Sequence, residues 1–360
     1  MSDEILGYLK REQQLSQRLV RHLWRQWREA QPDLGIPMKV MGQNLGQYCL
    51  RGGKWHRPTL VRLAVQLMQV KLTPAMMRAS VAVELMHRYL LCHDDLIDQD
   101  LKRHGGPTLE QVYRQRQVTL YGNRTESTYA LGVAMVGGDL LNALTQLAVL
   151  ESGLKPELAV AFLKGLNQEL VETAAGWIME TELKQKPLLR VSLDQVRQTM
   201  LLVSAHYSFL WPLRLGQILG GVKEGEWLPA LETYGRHIGL AFQITDDLLA
   251  IVGEEKTTGK PVGSDLREGK KTLLTQYAYQ QANFRQKTYL QQSLNTFINN
   301  ERLQNIREIL TTTGAITYAK HEALKQAQLG IKAIESMSNG DDEAKRKLIW
   351  LGKFVAQRHY

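Results

Sequence analysis

Two segments of the 360-residue chain are built alike, and they limit what it can fold into more than any other feature. The first is Cys92-His93-Asp94-Asp95-Leu96-Ile97-Asp98-Gln99-Asp100, which closes an apolar, helix-compatible run starting near Thr73. The second is Phe242-Gln243-Ile244-Thr245-Asp246-Asp247-Leu248-Leu249-Ala250, closing an apolar run that includes Gly239. A basic, glycine-rich loop follows each: Leu101-Lys102-Arg103-His104-Gly105-Gly106 after the first, and residues 259–271, with Lys260, Arg267, Lys270 and Lys271, after the second. On a helix, Asp94 and Asp98 lie one turn apart on one face, where like charges repel. A cation between them reverses the sign. Oxygen-only ligands at this spacing suit Mg²⁺, which takes one or two carboxylates and completes its shell with water and substrate phosphates. One acidic helix end is as well explained by solvation alone. Two, each followed by cations and glycines, read as two walls of one cavity that holds metal ions and phosphates.

The bulk numbers narrow the class. Length alone favours two domains. A hydrophobic content of 44% with 22% charged residues allows a sizeable core. Ten prolines, with long stretches free of Gly-Pro punctuation, favour helices over short strands. The polar N-terminus lacks the pattern of a signal peptide. No uninterrupted run of eighteen apolar residues occurs, so no transmembrane helix is expected. Two cysteines, Cys49 and Cys92, cannot form a disulfide framework, and a reducing cytoplasm fits. The formal charge of +9 suits nucleic acid, an anionic membrane or a phosphorylated substrate, or a solvated basic surface with no partner. With 7% aromatics and no basic-aromatic stacking platform, nucleic acid is the least suited and is not expected as a partner.

Taken in order, residues 4–29 read as an amphipathic packing helix, ended by Pro32 and Gly35. Arg51-Gly52-Gly53-Lys54-Trp55-His56-Arg57-Pro58 places basic side chains on a turn at a helix N-terminus, a natural place for a phosphate or diphosphate. A helix is expected over 57–71, and a buried central one from Thr73 to the aspartates. Glu84 and His87 interrupt it; His87 lies two turns before Asp94 and faces the same side. Helices follow over 109–153 (broken near Gly122), 157–184 and 193–219, with a kink at Pro212, and amphipathic helices fill 272–356.

At this point the chain resembles the trans-isoprenyl diphosphate synthases, or polyprenyl synthetases, from about residue 50 to residue 275. The motifs are Gly-Gly-Lys-x-x-Arg-Pro (52–58), Glu-x-x-His (84–87), Asp-Asp-x-x-Asp (94–98), Gly-x-Pro-Thr (105–108), Gly-Asp-x-Leu (138–141), Phe-Gln-x-x-Asp-Asp (242–247) and Gly-Lys-Pro-x-Gly-x-Asp-Leu-Arg-Glu-Gly-Lys (259–270). The resemblance implies one all-α domain over 1–360, a helical bundle around a deep central cavity, usually a homodimer. It implies a Mg²⁺-dependent condensation of isopentenyl diphosphate with an allylic diphosphate by ionisation, addition and elimination. Asp94, Asp98 and Asp246 would hold magnesium, supported by Asp95 and Asp247. Arg103, Lys260 and Lys270 would neutralise the departing diphosphate, which itself serves as the base. Lys54, Arg57 and His87 would bind isopentenyl diphosphate, and Gln243 would orient the allylic substrate. Tyr89, five positions before Asp94, resembles the pocket floor of members making short products. The absence of an insertion within 94–98 favours geranylgeranyl over farnesyl diphosphate.

Four positions depart from the family pattern. His104 stands where a second Arg is usual, Val203 where a Lys is usual, Trp177 where a Gln is usual, and Ala250 in place of a last acid. These departures leave open a non-condensing subunit or regulator of the same fold. A class I terpene cyclase is a further alternative, opposed by the motifs at 52–58 and 84–87, which imply a second diphosphate site. A basic helical nucleic-acid binder would explain the charge but not the aspartates.

Overall fold

The computed structural model describes residues 2–30, 34–122, 128–221, 227–253 and 262–356. These are helical almost throughout. One two-residue hairpin, Lys102–Arg103 with Gly106–Pro107, supplies the strands found among them. The all-α expectation is met. The chain divides into two compact units, Met1–Val65 with Lys71–Leu163, and Gln66–Val70 with Lys164–Tyr360.

The first unit contains α1 (Ser2–Ala30), α2 (Ile36–Leu50), most of α3 (His56–Leu67), α4 (Pro74–Ser80), α5 (Ala82–Ile97), α6 (Leu109–Tyr121) and α7 (Tyr129–Leu150). Trp24, Leu45, Tyr48, Leu91, Tyr113, Leu141 and Leu144 form its aromatic-rich core. Arg62 is buried there and every arm finds an acceptor: Nε donates to Glu12 Oε2 (2.7 Å), Nη1 to Ser80 Oγ (2.8 Å) and Nη2 to Ser16 Oγ (2.8 Å). A buried guanidinium requires such partners, and these tie α1, α3 and α4 together. Two helix boundaries differ from the sequence expectation. The helix expected over 57–71 ends at Leu67, with Gln69 in the left-handed region at φ 59°. The central helix expected from Thr73 is broken at Val81: Thr73 caps α4 by accepting from Met76 N, and α5 begins one residue after the break.

The second unit begins with α8 (Pro156–Gln185, its first turns shared with the first unit), followed by α9 (Leu193–Met200), α10 (Trp211–Gly220) and α11 (Trp227–Val252). Beyond these come α12 (Ser264–Arg267), α13 (Leu273–Gln281), α14 (Phe284–Gln292), α15 (Asn300–Thr312), α16 (Ala315–Glu335) and α17 (Asp342–Ala356). On α11, Leu240, Ile244, Leu248 and Ile251 recur at helical spacing and enter the core. Ala315, Ala319 and Ala323, one turn apart on α16, enter the same core. Between α9 and α10, Leu201–Leu210 adopts π-helical register. Pro212, expected to kink this helix, lies just past that segment and has no N–H to bond back to residue 208. Gly235 and Gly239 let α11 approach the π-helical segment closely. A Cβ at either would stand 2.6 Å from the Cα of Leu210 or Ala205 respectively.

Among the described residues one helix, α7, is long and apolar enough to cross a membrane by length and composition. Its Ala130, Ala134, Leu141, Leu144 and Ala148 are buried in the first unit, while Leu131, Met135, Val136 and Leu150 are exposed.

Candidate active site

The first aspartate cluster forms where α5 ends. Asp94 and Asp95 lie in its last turn and Asp98 caps it, its N–H donating to Asp94 O (2.8 Å). Asp94 and Asp98 are half-buried; Asp95 turns inward and is buried. The following loop folds into the hairpin, with His104 at φ 51° and Gly105 at φ 74°, the positive values that a tight two-residue hairpin turn demands. That turn returns Arg103 onto the helix end. Its Nε donates to Asp95 Oδ1 (2.5 Å), and Nη2 pairs with Asp94 Oδ2 (3.0 Å), Asp100 Oδ2 (3.1 Å) and Asp95. Tyr48 Oη donates to Asp95 Oδ2 (2.9 Å). Burial raises the Asp95 carboxyl to about 6 against the opposing pull of Arg103.

A basic group surrounds the 51–57 turn. Arg88, fully buried, pairs with Glu84 Oε1 (3.1 Å) one turn back. It also donates to the carbonyls of Gly52 (3.2 Å) and Arg51 (3.4 Å) and lies over the Trp55 ring, 5.2 Å from its centroid. Arg51 in turn donates to Pro107 O (2.7 Å), tying the turn to the hairpin. Arg57 is buried, Lys54 exposed and His87 half-buried. Burial, then the nearby Arg57 and Arg88, hold the His87 imidazole well below its usual range. Burial and the cluster of arginines likewise push His104 down to about 3. Both rings are neutral at pH 7.

Tyr89 points elsewhere. It packs edge-on against His93, with ring centroids 4.8 Å apart, beside the aromatic core of the unit. His93 Nε2 lies 3.4 Å from Asp139 Oδ1. Gly138 makes room for this ring, since a Cβ there would overlap the His93 imidazole.

In the second unit, Asp247 is buried and Asp246 half-buried at the C-terminal part of α11. Gln243 Nε2 donates to Asp247 Oδ1 (2.7 Å). Lys270 Nζ stands 3.9 Å from Asp247 Oδ1 and 3.7 Å from Glu180 Oε1. Asp247 Oδ2 is buried with no hydrogen-bond partner. Burial raises this carboxyl to about 7, opposed by Lys270. Glu180, Val203, Ser204, Gln243, Lys270 and Lys271 line one small pocket. Val203 therefore lies within the site, and its missing charge belongs to the site itself. Lys260 lies outside the described residues.

The structure thus brings Asp94, Asp95 and Arg103 together in one unit, and Gln243, Asp247 and Lys270 in the other. It groups Arg57 and His87 around the basic turn and sets Tyr89 apart from them. Sequence reading missed Glu180, Arg88, Tyr48 and Asp100, each of which contacts a predicted residue or the turn that carries one. Glu180 carried a signal as the acid closing Gly176-Trp177-Ile178-Met179-Glu180, and Asp100 as an acid three residues before its partner Arg103; for Arg88 and Tyr48 the partner lies 36 and 47 residues away in sequence. Among the described residues no group of three His, Cys, Asp or Glu side chains forms a ready metal cage. The residues present do fit magnesium: in the first unit the half-buried Asp94 and Asp98, one turn apart, are hard carboxylate donors of the one or two that Mg²⁺ takes, and in the second unit the half-buried Asp246 is another.

Residues 39–312 match the family model described as Polyprenyl synthetase. A short chain isoprenyl diphosphate synthase of Methanocaldococcus jannaschii is 35% identical over 273 residues, 75% of each chain. A geranylgeranyl diphosphate synthase of Sulfolobus acidocaldarius is 28% identical, covering 85% of this chain and 87% of that one. Among solved structures, geranylgeranyl pyrophosphate synthase from Corynebacterium glutamicum, complexed with isoprenyl diphosphate and magnesium, superposes with a TM-score of 0.91. At 23% identity, covering 98% of this chain and 99% of that one, it establishes the fold. With these matches, an all-helical fold that carries an Asp-Asp pair on each of two helices is that of an isoprenyl diphosphate synthase type of enzyme. The chain belongs to the polyprenyl synthetase family.

Proposed function

We propose that this enzyme condenses isopentenyl diphosphate head to tail with an allylic diphosphate, making a short-chain prenyl diphosphate, geranylgeranyl in preference to farnesyl. One observation carries it: in each unit an Asp-Asp pair in the C-terminal part of a helix is met by a cation from the segment that follows, Arg103 on Asp94 and Asp95, Lys270 near Asp247. Such a pair of clusters suits a reaction in which diphosphate charge develops and must be neutralised. Asp94, Asp98 and Asp246, supported by Asp95 and Asp247, would hold magnesium, which when bound would neutralise the leaving diphosphate. Arg103, Lys260 and Lys270 add positive charge there. Gln243 holds Asp247 in place. Lys54, Arg57 and His87 bind the diphosphate of isopentenyl diphosphate, the neutral His87 ring as a hydrogen-bond donor rather than a charge. The departing diphosphate takes the proton in the elimination. Tyr89, braced by His93, floors the prenyl pocket and sets the product length.

The two compact units act as one catalytic domain, a reading supported by a family match that runs through both. The exposed apolar residues of α7 support a homodimer. Free, buried Cys49 and Cys92 suit a reducing cytoplasm. The test is incubation of purified protein with Mg²⁺, isopentenyl diphosphate and each of dimethylallyl, geranyl and farnesyl diphosphate, with products read by mass spectrometry. A twenty-carbon product is expected, and Asp94→Ala should abolish it. Failure to elongate any primer would sink the synthase reading, and diphosphate release without elongation would favour a cyclase.

A further inference from the structure

We propose that the outer face of α1, together with the turn at Leu34–Ile36 that follows it, is a docking surface for an anionic lipid bilayer. At 100° per residue, Lys10, Arg11, Arg18, Arg21, Arg25 and Arg28 fall within one sector of roughly 120°. All six are exposed, as are His22 and Gln14 in the same sector. The opposite face is committed to the unit's interior: Ile5, Val20 and Trp24 are buried, and Ser16 and Glu12 are bonded to Arg62. The acids at positions of the outer sector, Asp3, Glu4 and Glu29, lie beyond the two ends of the row. Among the described residues, none of the six cations forms an ion pair. The chain's formal net charge is +9, so this one face carries a large share of the positive excess.

A row of this kind is unfavourable by itself. Arg18, Arg21, Arg25 and Arg28 are spaced three and four apart, where like charges destabilise a helix. Solubility alone is served by interspersed signs and needs no such row. The row runs about 27 Å at 1.5 Å per residue, a straight edge suited to an extended polyanion rather than a single phosphate. Two further observations select a lipid surface over nucleic acid. The outer sector of α1 offers no aromatic ring on which a base could stack. And at the end of the row, where Gly35 turns the chain at φ 86°, Leu34 and Ile36 stand 58% and 71% exposed. Exposed apolar side chains next to a basic row are the combination that holds a protein at a membrane interface. Because α1 buries its own apolar face in the protein, it lies on the headgroups, and only Leu34 and Ile36 reach beneath them.

Co-sedimentation of the full chain with vesicles tests this, using phosphatidylcholine alone and phosphatidylcholine with about 30 mol% phosphatidylserine. Binding to the anionic vesicles only is expected, and it should fall steeply as salt is raised. Each cation withdrawn should lower the partition coefficient about five-fold, so R18Q/R21Q/R25Q should lower it about 100-fold. That variant should have a Tm no lower than wild type, since like-charge repulsion along the helix is relieved, and should keep turnover on dispersed substrates. L34S/I36S should weaken binding at high salt as well as low. Wild-type protein that stays in the supernatant with anionic vesicles would overturn the proposal, as would a triple variant that binds like wild type. Tighter binding to a short DNA duplex than to anionic vesicles at the same salt would reassign the surface to nucleic acid.

Discussion

Arg88→Met would expose how much the basic turn depends on one buried cation. Arg88 has 1% of its side chain exposed, and so does its partner Glu84. Methionine approximates the length and packing of the arginine stem but leaves Glu84 Oε1 without its cation in a site where Oε2 already lacks a hydrogen-bond partner. It also strips donors from the carbonyls of Arg51 and Gly52 and the cation from the Trp55 ring. Breaking a buried pair from one side typically costs about 3–5 kcal/mol, because a charge is stranded. For a unit of this size that corresponds to a Tm lower by about 6–20 °C. Since the same turn carries Lys54 and Arg57, KM for isopentenyl diphosphate should rise about tenfold or more, while KM for the allylic substrate moves little. Thermal unfolding and steady-state kinetics with each substrate varied in turn provide the readout. The double variant Glu84→Gln/Arg88→Met removes the stranded charge and should recover much of the lost Tm without recovering KM. A single variant within about 2 °C of wild type, or a double variant no better than the single, would refute the reasoning.

Val203→Lys would place an ammonium in the pocket lined by Glu180, Gln243 and Lys270; a charge-assisted contact of about 1.5–3 kcal/mol should lower the allylic KM about 10- to 100-fold, and an unchanged KM would show that the position does not meet substrate. Gly138→Ala should displace His93 and with it Tyr89, reducing turnover and shifting the product distribution in mass spectra, whereas an unaltered distribution would detach Tyr89 from length control. His104 is held at about 3 in the folded chain, below its unfolded value of 6.5, so the unfolded state binds the proton first and stability falls as pH drops from 6.5 towards 3. His104→Asn tolerates the positive φ and should flatten the acid side of the denaturation profile; equal slopes for both proteins between pH 7.5 and about pH 5 would contradict this.

Helices and motifs were legible in the chain because each is a local pattern. Apolar residues at helical spacing mark α1, α5, α11 and the C-terminal helices, and the Asp-Asp endings with their basic loops can be read without knowing any contact. The π-helical register at 201–210 and the break at Val81 were not legible, since both depend on how neighbouring helices pack against those segments. The partners of the charged groups were hidden too. Arg103 reads as a side chain free for phosphate, yet it is engaged by Asp94, Asp95 and Asp100, an arrangement produced by a two-residue turn with two positive φ values. Arg88 reads as an unremarkable residue beside His87 and proves to be the buried support of a turn 36 residues earlier in the chain. Sequence by itself determined the class of fold and the residue types of the site, because periodicity and composition are carried by every few residues. Only the tertiary structure decided which charge meets which, because a buried charge takes whatever partner the packing brings within reach, regardless of its distance along the chain.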